Sequence, residues 1–283
     1  MLREVFSEAW RIMARRKNVI WQFLALIPAI FIVVLVGVLI AMATGSSGLA
    51  IFLSFLLMLF GIIFIFGAAY GAIGEATWGN APTPYFLRGW HLFGKTAAYL
   101  GTGVVAGLAV LLVADALSGA LFGATMSQTA LLHQLTPGAN PAQAMSAMLG
   151  VLVRVGIVTL VVSVAVFPLL YGLAAGLFAG RMTYSAAFDS AGQEYVHGRF
   201  PQWLLVWAIY TVGIAIYEGA YLFSITLLIP GNAGGFALFE LISVVFVLLL
   251  GWYITALAFA LWSSHQPKQA VATDNGPVSE PAY

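Results

Sequence analysis

Four ionisable residues lie inside apolar stretches that are long enough to cross a membrane: Asp115, Arg154, Glu218 and Glu240. A charge at the centre of such a stretch costs about 2.5–3.5 kcal/mol on insertion scales, so each side chain should face protein or water and find a partner. Arg154 is the only base among them, and we expect it to pair with one or two of the acids. A remaining carboxyl, with Glu218 the deepest, would then be able to bind and release a proton.

Two interpretations of these four residues stay open. They could line a polar cavity that opens to the outside and binds a small cation, a lipid headgroup or a proton-coupled solute. Alternatively, Asp115 and Arg154 form a structural contact between neighbouring helices, while Glu218 and Glu240 reach water near the membrane boundary. The second interpretation is favoured because all four positions lie close to the outer boundary.

Residues 89–96 match the phosphate-loop pattern G-x-x-x-x-G-K-[ST] letter for letter. Such a loop must follow a β-strand and leave its backbone amides free to surround a phosphate. Here the variable positions hold Trp90, Leu92 and Phe93, which predict an amphipathic helix ending in Lys95 at a membrane surface. We therefore expect no nucleotide to bind at this segment.

The other chemistry-bearing residues predict neither a metal site nor a catalytic centre. The chain has no Cys, and its His residues stand in separate loops or flanks without a metal-binding spacing. We expect a protein that is not an enzyme and that holds no cofactor. The four histidines are His91, His133, His197 and His265.

Composition predicts an all-α polytopic membrane protein. Of 283 residues, 62% are hydrophobic and 7% are charged, whereas a soluble domain carries about 25% charged residues. The net charge of +1 gives no reason to expect nucleic acid as a partner. A spanning helix needs about 20 mostly apolar residues. Six segments satisfy this condition: 19–43, 49–73, 96–118, 148–173, 203–228 and 236–262.

Connecting segments arrange these spans as three hairpins in a membrane domain that covers residues 1–265. The turns at 44–48 and 230–235 are short, and the longer loop at 117–147 carries no Lys, Arg, Asp or Glu. Ten of the eleven Lys and Arg residues lie on the opposite side, with both termini, and the positive-inside rule makes that side cytoplasmic. Residues 266–283 have the polar composition of a disordered cytoplasmic tail.

An amphipathic helix is predicted before each hairpin, at 2–13, after Thr83-Pro84, and at 184–195. Each carries an apolar stripe with helical spacing and would lie flat in the cytoplasmic headgroup region. Small residues one turn apart let helix backbones approach closely in lipid. The predicted helix-packing glycines are Gly67, Gly71, Gly74, Gly103, Gly107, Gly172, Gly176 and Gly180.

A family resemblance is based on three features of the sequence. These are the segment Phe6-Ser-Glu-Ala-Trp10, the glycine-rich span ends, and the amphipathic segments at 85–90 and 185–188 that precede later spans. Over about residues 1–265, the chain resembles the uncharacterised six-helix bacterial membrane proteins grouped around the membrane domain of some glycerophosphodiester phosphodiesterases. In that family the hydrolase is a separate soluble barrel, for which this chain has no room. The resemblance implies the fold and a place in the bacterial cytoplasmic (inner) membrane, without an activity that particular residues would carry.

For function, we expect a structural or accessory subunit, or an assembly partner, of a membrane complex. Its partners would be the lipid bilayer and either another membrane protein or a second copy of the chain. The alternative is a small transporter or lipid-handling protein that uses an outer-leaflet polar site formed by Arg154 with Asp115, Glu218 and Glu240.

Overall fold

The computed structural model describes residues 2–24, 26–122, 141–180, 182–228 and 233–266. All regular secondary structure within these residues is helical, which confirms the predicted all-α class. The described helices are α1 (Leu2–Arg15), α2 (Val19–Leu24), α3 (Leu26–Thr44), α4 (Ser47–Thr77), α5 (Tyr85–His91), α6 (Phe93–Phe122), α7 (Pro141–Phe178), α8 (Tyr184–Val196), α9 (Phe200–Leu228) and α10 (Ala233–His265).

Five of these helices contain segments that are long and apolar enough to cross a membrane. They overlap the last five predicted spans, with ends that differ by one to ten residues, and lie in α4, α6, α7, α9 and α10. The first predicted span, 19–43, corresponds to α2 and α3, and its crossing stays a prediction. The five segments are Gly48–Thr77, Phe93–Ala114, Val158–Phe178, Phe200–Ala220 and Ile242–His265.

Helix α4 lies at the centre of the packing and contacts α1, α2, α3, α5, α6, α7 and α10. Consecutive long helices also pack against each other, since α3 contacts α4, α6 contacts α7, and α9 contacts α10. Most of the predicted outer loop, at 123–140, and the predicted tail beyond residue 266 fall outside the described residues.

The buried core is concentrated at one end of the helices. Ile73 of α4, Leu173 of α7 and Leu257 of α10 are completely buried there, close to the ends of their helices. Large apolar side chains elsewhere along the same helix set, such as Phe52 and Leu112, are exposed, as expected for helices that face lipid. We call the packed end the basic end, because it includes Arg15, Arg16, Lys17, Arg88 and Arg199.

The three short helices predicted before the hairpins are present as α1, α5 and α8. Helix α1 buries Val5, Ala9 and Ile12, which share one helix face, and it packs on α10 and α4. Trp10 remains exposed, although its ring lies 5.4 Å from the ring of Tyr253. The apolar face of α1 is therefore covered by this protein itself.

Glycines make the close packing at the basic end possible. A Cβ atom on Gly74 would collide with the backbone of Phe178, and one on Gly176 would come within 2.9 Å of the Ala187 Cβ. Substitution is also obstructed at Gly180, where a Cβ would lie 2.6 Å from the Trp262 ring. Neighbouring side chains crowd Gly67, Gly71 and Gly172 in the same way.

Because the chain has no Cys, single cysteines can report the sidedness of the helices. Three exposed positions serve as labelling sites: Ser7 before the first predicted span, Ala43 at the end of that span, and His197 between α8 and α9. We expect Ala43→Cys to react with a membrane-impermeant maleimide in intact cells, and Ser7→Cys and His197→Cys to react only after permeabilisation. Labelling of Ser7→Cys in intact cells would contradict the predicted orientation, and the same labelling behaviour for Ser7→Cys and Ala43→Cys would contradict a crossing at 19–43.

Candidate functional site

The connection between α4 and α5 places an arginine beside an acid. Gly79 has a φ of +68°, a backbone conformation that favours glycine, and it lies just after the end of α4. Pro82 and Pro84 then keep the chain non-helical until α5 begins at Tyr85. The reversal brings Arg88 back to Glu75.

Glu75 and Arg88 form an ion pair in which Arg88 is buried and the Glu75 side chain is 13% exposed. Arg88 is 5% exposed; its Nη2 lies 3.0 Å from Glu75 Oε2, and its Nε donates to Oε1 at 3.1 Å. The guanidinium also donates to the carbonyls of Ala68 and Thr83, and the Thr83 amide donates to Glu75 Oε2 at 3.3 Å. A two-point contact of this kind both neutralises the charges and fixes their orientation.

If α4 starts at one boundary of the hydrocarbon core, Glu75 lies past the other boundary. It follows Ser47, the first residue of α4, by 28 positions (75 minus 47), which is about 42 Å at 1.5 Å per residue. The hydrocarbon core of a bilayer is about 30 Å thick. With α4 placed in that way, the Glu75–Arg88 pair would lie in the headgroup layer rather than in the lipid interior.

A cavity of about 290 Å³ lies next to this pair and is lined by basic side chains. Arg15 donates to the carbonyl of Ala76 at 3.0 Å, and Arg16 donates to that of Asn80 at 2.9 Å. These contacts place cations at the carbonyl end of α4, where the helix dipole favours them. The lining residues are Ala14, Arg15, Arg16, Lys17, Asn18, Val19, Gln22, Ala72, Pro82 and Arg88, and we call this space the basic cavity.

A second buried acid joins α8, α9 and α10. Glu194 is 1% exposed and accepts from Trp203 Nε1 at 3.1 Å, with His265 Nδ1 2.9 Å away and Arg199 Nη1 3.3 Å away. Burial by itself would raise the pKa of the Glu194 carboxyl. The hydrogen bonds from His265 and Trp203 and the charges of His265 and Arg199 outweigh that effect and lower the pKa below its ordinary value.

The structure leaves the predicted four-residue polar site undecided. Glu218 is exposed on α9. Asp115, Arg154 and Glu240 lie in α6, α7 and α10, and their side chains fall outside the described part of the protein. Their convergence stays a prediction.

The two acids at the basic end, Glu75 and Glu194, are the site residues that the sequence interpretation missed. A usable signal was present, because each acid precedes an arginine at the entry to a following helix. Arg88 follows Glu75 by 13 positions and Arg199 follows Glu194 by five. The chain has only ten Asp and Glu residues. An acid that is followed closely by an arginine is therefore a good candidate for an ion pair.

The phosphate-loop match at 89–96 is helical in the structure. Gly89 belongs to α5 and is buried against the ring of Phe64, and Thr96 lies in the first turn of α6 with its hydroxyl bonded to the Leu92 carbonyl. Its backbone amides are thus not arranged around a phosphate. Among the described residues, no three His, Asp or Glu side chains form a group that could hold a metal ion.

No protein-family model, curated protein or solved structure matches this chain. The resemblance to the six-helix bacterial membrane proteins therefore stays a prediction from the sequence.

The Glu194 cluster predicts a specific pH dependence of stability. Since the pKa of Glu194 is lower in the folded state, its ionised form stabilises the fold above the ordinary glutamate pKa of roughly 4.3. That contribution is lost as the pH falls through the folded-state pKa. We expect Glu194→Gln to lower the melting temperature in detergent at pH 7 by roughly 4–8 °C, about 2 kcal/mol.

The wild type should lose melting temperature as the pH falls below about 4.3, and the same variant should flatten that decline. Asp189→Asn is a matched control, because Asp189 is an exposed acid on the same helix. An acid-induced decline in Glu194→Gln as steep as that of the wild type would contradict the assignment.

Proposed function

We propose that this chain is a non-enzymatic integral membrane protein that serves as a structural or accessory subunit of a membrane complex. We place it in the cytoplasmic membrane of a bacterium with both termini inside. The observation that supports this proposal most is the contrast between a tightly packed basic end and an apolar face of α6 that the described part of the chain leaves uncovered.

The uncovered face contains two glycines at helical spacing. A Cβ atom on Gly103 or Gly107 would meet no described atom within 4 Å. Val104 and Leu108 next to them are also exposed, at 63% and 56%. A pair of small residues four positions apart is typical of close helix association in lipid, so this face suits a helix of a partner protein or of a second copy.

The chain itself limits where that helix can dock. Val110 and Ala114 follow Gly107 on the same side of α6 and are buried by this protein. Thr96 and Tyr99, which precede Gly103 on that side, are buried as well. A partner helix would therefore reach this face only over the short stretch around Gly103 and Gly107. Buried residues at both ends of the stretch would hold it in a fixed position.

The buried charges at the basic end support a structural rather than a catalytic role. Glu75 is neutralised by Arg88, and Glu194 is held by Arg199, Trp203 and His265. These groups tie helices together and leave their charges compensated. Catalytic acids and bases, in contrast, need an open position for a substrate.

A lipid-handling role is the second candidate. The basic cavity favours it, although this cavity lies at the end of the helices opposite to the predicted outer-leaflet site. Transport would require a path between the two ends.

Substitution of the two open glycines tests the accessory role. We expect Gly103→Leu with Gly107→Leu to reduce recovery of a co-purifying protein or second copy at least tenfold, because larger side chains prevent close approach. The measurement is size-exclusion chromatography with intact mass spectrometry, in mild detergent, on tagged protein from native membranes.

The matched control is Gly101→Leu, since a Cβ atom there also meets nothing within 4 Å but points to another side of α6. All variants should keep the melting temperature of the wild type. Purification of the wild type as a lone monomer, or full recovery of the partner with the double variant, would contradict the proposed role.

A further inference from the structure

We propose that the basic cavity binds a phosphate group, and that the position of the cavity favours the headgroup of an anionic glycerophospholipid as its source. This inference goes beyond the accessory role and does not depend on the α6 face. It rests on the charge of the cavity, on two buried polar atoms without partners, and on the depth at which the cavity lies.

The cavity walls carry an excess of positive charge. Four cations line it, and Glu75 neutralises Arg88 alone. Glu8 lies 3.8 Å from Arg15, on the outer side of α1. Lys17 is exposed and makes no hydrogen bond or ion pair with the described residues. This surplus of positive charge attracts an anion. Because the cations line one cavity, a single anionic group can contact several of them.

Arg16 supplies a fixed donor that lacks an acceptor. Its Nη1 donates to the Arg15 carbonyl at 3.3 Å and its Nη2 to the Asn80 carbonyl at 2.9 Å, which together hold the guanidinium plane. The Nε atom is buried and has no partner among the described atoms. Buried donors are costly to leave unpaired, and a phosphate oxygen is an acceptor that suits a guanidinium.

Gln22 is a second residue of the cavity wall with an unpaired buried atom, its Oε1. Because a terminal amide can turn by 180°, Gln22 can present either its carbonyl or its NH2 group to a ligand. It can therefore pair with a phosphate oxygen or with a headgroup hydroxyl, and both groups occur in an anionic phosphodiester such as phosphatidylglycerol.

The size and depth of the cavity fit a lipid headgroup. Its volume of about 290 Å³ is roughly ten times the 30 Å³ share of one liquid water molecule. Ala72, on its wall, belongs to the apolar segment of α4, and the ring of Trp21 beside Gln22 is 69% exposed. Exposed tryptophan is typical of the headgroup level, where lipid phosphates lie.

The test uses purified full-length protein in mild detergent and three probes: phosphatidylglycerol, phosphatidylcholine and inorganic phosphate. Binding is measured by native mass spectrometry and by the shift in melting temperature. We expect phosphatidylglycerol to bind at least tenfold more tightly than phosphatidylcholine. Lys17→Gln should weaken that binding about fivefold, the effect of removing one cation near an anionic headgroup.

Two further variants make the test specific. Arg16→Lys keeps the charge and removes the Nε donor, so it should also weaken binding of phosphatidylglycerol. Arg3→Gln removes one charge from an exposed position of α1 outside the cavity and should leave binding unchanged. Lys17→Gln keeps the test informative if Arg16→Lys lowers the yield of folded protein.

The outcomes separate the sources of the phosphate. Binding of phosphatidylglycerol that 10 mM inorganic phosphate does not displace supports the lipid headgroup. Binding of inorganic phosphate alone, weakened by the same two variants, supports the phosphate site with a soluble source. Equal binding of both lipids, or equal losses in Arg3→Gln and Lys17→Gln, would overturn the proposal.

Discussion

A carboxylate that is removed from water at a membrane boundary must be neutralised, and the contact of Glu75 with Arg88 meets this constraint. The arginine comes from the next helix, so the contact also dictates the path of the chain between them. The turn at Gly79 and the prolines that follow reverse the chain over a short distance. Gly71 lets the aliphatic part of Arg88 lie against α4, where a Cβ atom would come within 2.7 Å of the Arg88 Cδ.

A second acid at the basic end is neutralised in the same way. Glu194 connects α8 to α9 and α10 as Glu75 connects α4 to α5, and each acid uses an arginine that follows it in the chain. Between the two clusters, Gly74 and Gly176 permit contacts that a larger residue would block. The result is a packed layer at the basic end, from which the apolar helices extend with much of their surface uncovered by the described residues.

Helix positions could be predicted because hydropathy and length constrain them strongly, whereas contacts between helices could not. The predicted span at 148–173 lies inside α7, but the helix continues through Pro168 to Phe178, since a proline in a membrane helix can be accommodated by its neighbours. On α1, the periodicity predicted an apolar stripe that includes Val5, Ala9 and Trp10 and leaves out Ile12. In the structure Val5, Ala9 and Ile12 are buried, whereas Trp10 is exposed. The basic cavity combines the α1–α2 junction with α4 and α5, and helix rotation, which one sequence does not fix, decides that combination.

The most direct test of the central claim is a double-mutant cycle on Glu75→Gln and Arg88→Met, with unfolding in mild detergent as the measurement. Each single variant should lower the free energy of unfolding by about 3–5 kcal/mol, because each leaves a buried charge without its partner. The double variant should lose at least about 2 kcal/mol less than the sum of the two, whereas the exposed Glu8–Arg11 pair should show a coupling of about 1 kcal/mol or less. Additive losses at Glu75 and Arg88, within about 0.5 kcal/mol, would contradict the claim that their contact organises the basic end.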